Sequence, residues 1–328
     1  MTGSNDHQDN SPLGLDVVPP DEASLKFARP IDFDAGYGDG TNRTLVLGGG
    51  GIFFVAWQVA YLNGLKHAGV DLDSSEIVVG TSAGSIVASI VTAGHLERFS
   101  KKVSVLSKLP ALTNALAPAN EYTPSQLRAL ELFHAAQDNK PETIREIGHA
   151  ALAASTPSAS ETRRTLGLTM GIRGWTSDAL RITAADCFTG ERLVATQDLE
   201  MSAVRAASAS SSVPGIFAPQ PLLDRFCMDG GVSGSGTHCD LIAGAQRTLV
   251  ISLGATLKTE IALMTVQPDN LEVELSGLEK AGTKAELRGP SELDITRLMD
   301  PTAIPEALAL GAAQAETDGP TLARFWKG

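Results

Sequence analysis

Apolar positions in this chain come in short runs separated by glycine-rich breaks. Arg43-Thr44-Leu45-Val46-Leu47 reads as a short buried strand, and Gly48, Gly49, Gly50 and Gly51 end it. Phe54, Ala56, Val59, Ala60, Leu62 and Leu65 then recur near the 3.6-residue period of a helix, with Gly69 placed where a helix C-terminus is expected. Ile77-Val78-Val79 predicts a second strand, and Ser85 to Val91 leaves the following turn as a second helix. Strand, helix, strand, helix in this order predicts a sheet with helices on its faces.

Further along, residues 96–160 are helical by composition. Thr123-Pro124-Ser125-Gln126 and Pro141-Glu142 read as helix starts. This stretch fits an inserted helical cap or a plain structural layer, and both readings stay open. Arg181 to Ala195 predicts a hairpin around Thr189-Gly190, and Val204 to Ser212 a small-residue helix stopped by Pro214-Gly215. Arg247 to Leu253 predicts a buried strand, and the remainder is helix-rich with one more strand near Lys284 to Leu287. Residues 1–40 are polar, acidic and rich in Pro and Gly, which predicts a flexible tail or a surface wrap. Residues 41–328 then form one domain.

Composition narrows the function classes. With 43% hydrophobic and 20% charged residues, the chain fits a globular protein able to bury a sizeable core. Its net charge of −12 argues against a nucleic-acid partner. Residues 1–40 carry half of that charge, eight acidic side chains against Lys26 and Arg29. Cys187, Cys227 and Cys239 are an odd set without metal-ligand spacing and read as reduced thiols. The first residues show no basic, then apolar, secretory pattern. The uncharged runs Thr44–Leu65 and Ile77–Gly94 are interrupted by glycines and read as buried strand, loop and helix rather than membrane spans. The expected location is cytoplasmic, with transient contact at a membrane surface.

Gly80-Thr81-Ser82-Ala83-Gly84 carries the chemistry. Its Gly-x-Ser-x-Gly spacing, between a strand and a helix, is that of a nucleophile elbow, which lifts one serine hydroxyl above a sheet. Gly80 and Gly84 are expected where a Cβ would collide with the packed strand and helix. Consecutive glycines at 48–51 allow backbone N–H groups to converge on an oxyanion. No Gly-Lys-Ser/Thr follows them, so they are not a P-loop, and Phe53 and Phe54 occupy the region of a dinucleotide fingerprint's third glycine. In Met228-Asp229-Gly230-Gly231-Val232 the glycines permit a sharp turn that presents the Asp229 carboxylate.

Taken in order, the glycine quartet, Gly-Thr-Ser-Ala-Gly, the Ser-Ser-x-Val-Pro-Gly-x-Phe segment and Asp-Gly-Gly-Val resemble the patatin-like phospholipase family from about Thr44 to Leu253. Leu298-Met299-Asp300-Pro301 is similar to the tail of bacterial members. The resemblance implies a three-layer α/β/α fold with a central, mostly parallel sheet and a Ser-Asp dyad that hydrolyses lipid acyl esters. Ser82 then matches the nucleophile, Asp229 the base, and Gly48 to Gly51 the oxyanion loop. The implied partner is a lipid or fatty acyl ester, and this chemistry calls for no metal and no cofactor. The chain departs from the family at Gly51-Ile52-Phe53-Phe54, where a basic residue is usual, and at Ser233-Gly234-Ser235, where Asn and Pro usually follow. A non-catalytic lipid- or partner-binding member is therefore the alternative.

A histidine-dependent esterase is the third reading, and it would use His238, nine residues past Asp229. Phe53, Phe54 and Trp57 read as helix core, with the lining of an acyl channel as the rival use. Val105, Leu106, Leu109, Leu112 and Leu116 are the aliphatic candidates for a cap wall.

Overall fold

The computed structural model describes residues 27–108, 121–256 and 270–328. Leu109, Leu112 and Leu116 lie outside the described residues, as do the first 26 residues of the expected tail.

An eight-stranded sheet runs through the molecule in the order β5-β6-β3-β2-β1-β7-β8, with β4 also paired to β3. The strands are β1 (Arg43–Leu47), β2 (Ile77–Gly80), β3 (Leu180–Asp186), β4 (Arg192–Ala195), β5 (Gln220–Leu222), β6 (Arg225–Asp229), β7 (Arg247–Ile251) and β8 (Lys284–Arg288). β3, β2, β1, β7 and β8 are parallel neighbours, and β4, β5 and β6 join antiparallel. The expected hairpin is present, with Ile182 opposite Ala195 and Ala185 opposite Arg192.

Alternation along the strands sorts side chains to two faces. Leu45, Leu47, Leu249 and Ile251 enter one apolar cluster, while Val46, Val79 and Val250 enter another. The first face is covered by α1 (Gly51–His67), α2 (Ala83–Thr92), α3 (Leu96–Leu106) and the long C-terminal helix, and the second by α8 (Asn270–Lys280) with the 239–243 turn. Phe54, Trp57 and Tyr61 stack in sequence within α1, with ring centroids 5.6 and 4.5 Å apart, and all three are buried. These aromatic rings are core.

The helical region after residue 96 continues as α4 (Pro124–Ala135), α5 (Pro141–Ala153) and α6 (Ala159–Met170). Thr123 and Gln126 cap α4 reciprocally, as their spacing predicts. Phe133, Ile144 and Ile147 pack on Ala185, Cys187, Met228 and Val232, forming a third cluster over β3 and β6. α7 (Ala203–Ser210) and the C-terminal α9 (Ile304–Lys327) complete the set. Val105 on α3 is 60% exposed.

Residues 27–40 lie against the body as a wrap. Phe27 is fully buried, Ala28 bridges Leu193, and Gly38 N–H donates to Ala243 O at 2.9 Å. Arg192 gathers this wrap. Its guanidinium donates to the carbonyls of Arg29 and Pro30 at 2.7 and 2.6 Å and pairs with buried Asp240 at 2.6 Å.

Candidate active site

β3 is the rail that aligns the two predicted catalytic side chains. Gly80 at the end of β2 is in register with Ile182, and Asp229 at the end of β6 is in register with Ala184. The elbow therefore leaves the sheet beside the level at which Asp229 arrives. Between these two positions Thr183 donates or accepts a 2.8 Å hydrogen bond with Thr81, and a Cβ at Gly230 would sit 2.5 Å from its hydroxyl. Thr183 thus fills the joint between elbow and Asp-Gly-Gly turn. Its β-strand setting gave no sequence signal for that role.

Ser82 holds φ 52° and ψ −121°, a conformation costly for a residue with a side chain. It caps α2, so the hydroxyl stands at the positive end of that helix. The two flanking glycines are steric necessities. A Cβ at Gly84 would lie 1.9 Å from the Leu47 carbonyl oxygen, and one at Gly80 2.7 Å from Ala88 Cβ. The serine is 5% exposed and Asp229 is 3% exposed, so both lie beneath the surface.

Asp229 Oδ1 accepts the Gly231 N–H at 2.9 Å, while Oδ2 is buried without a hydrogen-bond partner among the described residues. Burial pushes its carboxyl up to about 7, and the nearby Ser82 hydroxyl and the Gly231 N–H pull in the other direction. The Ser82 hydroxyl is close enough to act on the carboxylate without a settled bond to Oδ2.

The glycine quartet divides into two pairs. Gly48 N–H donates to Ile251 O at 2.8 Å and Gly49 N–H to Gly236 O at 3.2 Å. Among the described residues no acceptor takes the N–H of Gly50 or Gly51. Gly49 passes directly over Ser82, since a Cβ there would be 3.1 Å from Ser82 Cβ. The loop is fixed from outside by three groups. Gln58 on α1 donates to Gly48 O at 3.0 Å, and Leu298 O accepts the Phe53 N–H at 3.0 Å. Glu274, buried on α8, accepts from Thr237 and from the Cys239 N–H, holding the 235–239 segment against Gly48 and Gly49. Of these, Leu298 was visible in the sequence as part of a tail motif, whereas Gln58 and Glu274 carried no signal.

His238 is turned toward Gly230 and Arg192. Its Nε2 is 3.1 Å from Gly230 O, and its Nδ1 is 3.4 Å from the Arg192 guanidinium. Arginine has only donors, so Nδ1 accepts and Nε2 carries the proton. Burial and the Arg192 charge hold this imidazole down to about 3, and it is neutral at physiological pH. His238 steadies the Asp-Gly-Gly turn and makes no hydrogen bond to Ser82. An open, mainly apolar cavity of about 580 Å³ lies along α4 between Tyr122, Leu130 and His134, and neither Ser82 nor Asp229 lines it.

A family model for patatin-like phospholipases matches residues 45–237, more than half of the chain and all of the motifs above through Asp229. The chain belongs to the patatin-like phospholipase family. Solved structures similar to this family member include VipD from Legionella pneumophila, at 13% identity and a TM-score of 0.42, covering 90% of this chain and 67% of VipD. The type III effector ExoU is similar at 17% identity and a TM-score of 0.32, covering 86% of this chain and 54% of ExoU. ExoU of Pseudomonas aeruginosa in complex with SpcU gives the same identity and TM-score, with 85% and 53% covered. The chain spans about half the length of ExoU. Among the described residues no helix of this family member is long and apolar enough to cross a membrane.

Proposed function

We propose that this protein is a serine carboxylic-ester hydrolase that removes acyl groups from lipids, with Ser82 as nucleophile and Asp229 as its proton acceptor. The observation that carries the reading is a buried carboxylate with one oxygen unpartnered, set beside a serine in strained elbow geometry, where burial pushes the carboxyl up to about 7. A carboxylate in that range is a far better base than a free aspartate and is still half ionised at neutral pH.

Ser82 Oγ attacks the ester carbonyl as its proton passes to Asp229. The oxyanion is met by the N–H groups of Gly50 and Gly51, at the N-terminus of α1, where the helix dipole adds to their pull. Collapse of the tetrahedral intermediate breaks the ester C–O bond, and Asp229-H returns the proton to the leaving alcohol. Water, deprotonated by Asp229, then attacks the acyl-enzyme and releases the fatty acid and free Ser82. No other titratable side chain is needed. His238, turned to Gly230, takes no part in the proton transfers, so His238→Ala should slow the labelling described next by loosening the Asp-Gly-Gly turn but should not abolish it.

A fluorophosphonate probe tests the assignment. Wild-type protein should label covalently, Ser82→Ala should not label at all, and Asp229→Asn should label at least a hundredfold more slowly. A folded wild-type protein that stays unlabelled would favour the non-catalytic binder. A panel of phospholipids and simple fatty acyl esters then identifies the substrate class.

A further inference from the structure

Four serines crowd the end of α7, and their hydroxyls behave in two ways. Ser208 Oγ donates to Val204 O at 2.7 Å and Ser212 Oγ to Ser208 O at 2.8 Å, the back-bonding expected of a serine in a helix. Ser210 and Ser211 do neither. Ser210 Oγ accepts the backbone N–H of Ser82 at 2.9 Å, and Ser211 Oγ donates to the backbone carbonyl of Ser82 at 3.2 Å. Both groups reach about 130 residues along the chain to one amino acid.

That amino acid is the one whose backbone is strained. A residue at φ 52° and ψ −121° keeps that conformation only where its surroundings over-determine it. The Ser82 carbonyl has local support, from the Ser85 N–H at 2.9 Å and the Ser85 hydroxyl at 2.6 Å. Its N–H depends on Ser210, which is fully buried. The next residue of the same run holds the other half of the site, because Ser212 O accepts the Asp229 N–H at 3.0 Å.

We propose that Ser210 and Ser211 are positioning residues that clamp the strained backbone of Ser82 and, through the adjoining Ser212 carbonyl, fix its separation from Asp229. The proposal rests on the reading of Ser82 as nucleophile. α7 then acts as a jig: one helix end sets both the angle of the elbow and the place of the carboxylate. Neither hydroxyl touches substrate.

Ser210→Ala and Ser211→Ala are compared with Ser208→Ala, which removes a hydroxyl from the same helix without reaching the elbow. Ser210→Ala should lower kcat and the fluorophosphonate labelling rate about ten- to a hundredfold with KM unchanged, and Ser211→Ala several-fold. Ser208→Ala should stay within about twofold of wild type. Hydrogen exchange supplies a readout that needs no activity. The peptide containing the Ser82 amide should exchange faster in Ser210→Ala and remain protected in Ser208→Ala. Unchanged exchange at Ser82 in Ser210→Ala, or an equal loss of kcat in Ser208→Ala, overturns the clamp. A wild-type protein with no labelling would sink the hydrolase reading instead, while the exchange comparison still decides whether the clamp exists.

Discussion

At Asp229 one buried carboxyl ties the proposed catalysis to stability. Its pKa stands at about 7 in the folded protein against 3.8 for a free aspartate, chiefly because burial disfavours the charge. Between those two values the unfolded chain has lost the proton and the folded one keeps it. Folding stability therefore falls as pH rises from about 4 to about 7, and the full penalty, on the order of 4 kcal/mol, persists above 7. In the proposed mechanism activity runs the opposite way, since Asp229 must be ionised to accept the Ser82 proton: kcat/KM should climb about tenfold per pH unit below 7 and level off above it. Asp229→Asn carries no such charge, so its melting temperature should exceed that of wild type at pH 8 and approach it near pH 4. A difference in melting temperature that does not change with pH would rule out the raised carboxyl. The carboxyl itself was legible in the sequence through its two following glycines, but the partners that hold it in place were not. Those partners are β3, which pairs with β6 at Ala184, and the Ser212 carbonyl just past α7, which takes the Asp229 N–H, and only the fold brings them together.

At the level of elements, the parallel half of the sheet was legible because buried parallel strands read as unbroken apolar runs, as in Leu45-Val46-Leu47 and Leu249-Val250-Ile251. β5 and β6 were not. Gln220-Pro221-Leu222 is three residues long with a proline, and β6 opens with Arg225, so neither has a strand's alternating pattern. Their identity as strands comes from pairing with one another and with β3. Equally hidden was the Arg192–Asp240 pair, which joins β4 to the turn after His238 and receives the 27–40 wrap through the Arg29 and Pro30 carbonyls. Both side chains are almost completely buried, so removing one partner leaves the other charged and dry. Arg192→Met should cost about 3–5 kcal/mol in urea unfolding, and Arg192→Met with Asp240→Leu should recover a large part of that loss. A double variant no more stable than Arg192→Met would show that the arginine acts through its carbonyl contacts to the wrap and not through the ion pair. The single variant should also weaken the hold on His238 and the Gly230 carbonyl, linking the wrap to the site by one continuous chain of contacts.

For the whole molecule the governing quantity is charge. The chain carries −12 at neutral pH, and an acidic protein approaching an anionic lipid surface meets repulsion before any contact forms. Two kinds of vesicle separate this effect from the chemistry, one purely zwitterionic and one with a third of its lipid anionic, the two sharing the same cleavable ester. Initial hydrolysis should be faster on the zwitterionic vesicles at about 20 mM salt. The Debye length there is roughly 20 Å, long enough for the net field to act across the gap. Raising salt to about 0.5 M shortens it to roughly 4 Å, and the two rates should converge. A monomeric short-chain ester feels no surface potential, so its hydrolysis should stay nearly flat over the same range. If anionic vesicles are cleaved faster at low salt, a local basic surface overrides the net charge and guides docking. If the preference for zwitterionic lipid survives 0.5 M salt, the site distinguishes head groups by contact and the long-range field is irrelevant to its choice.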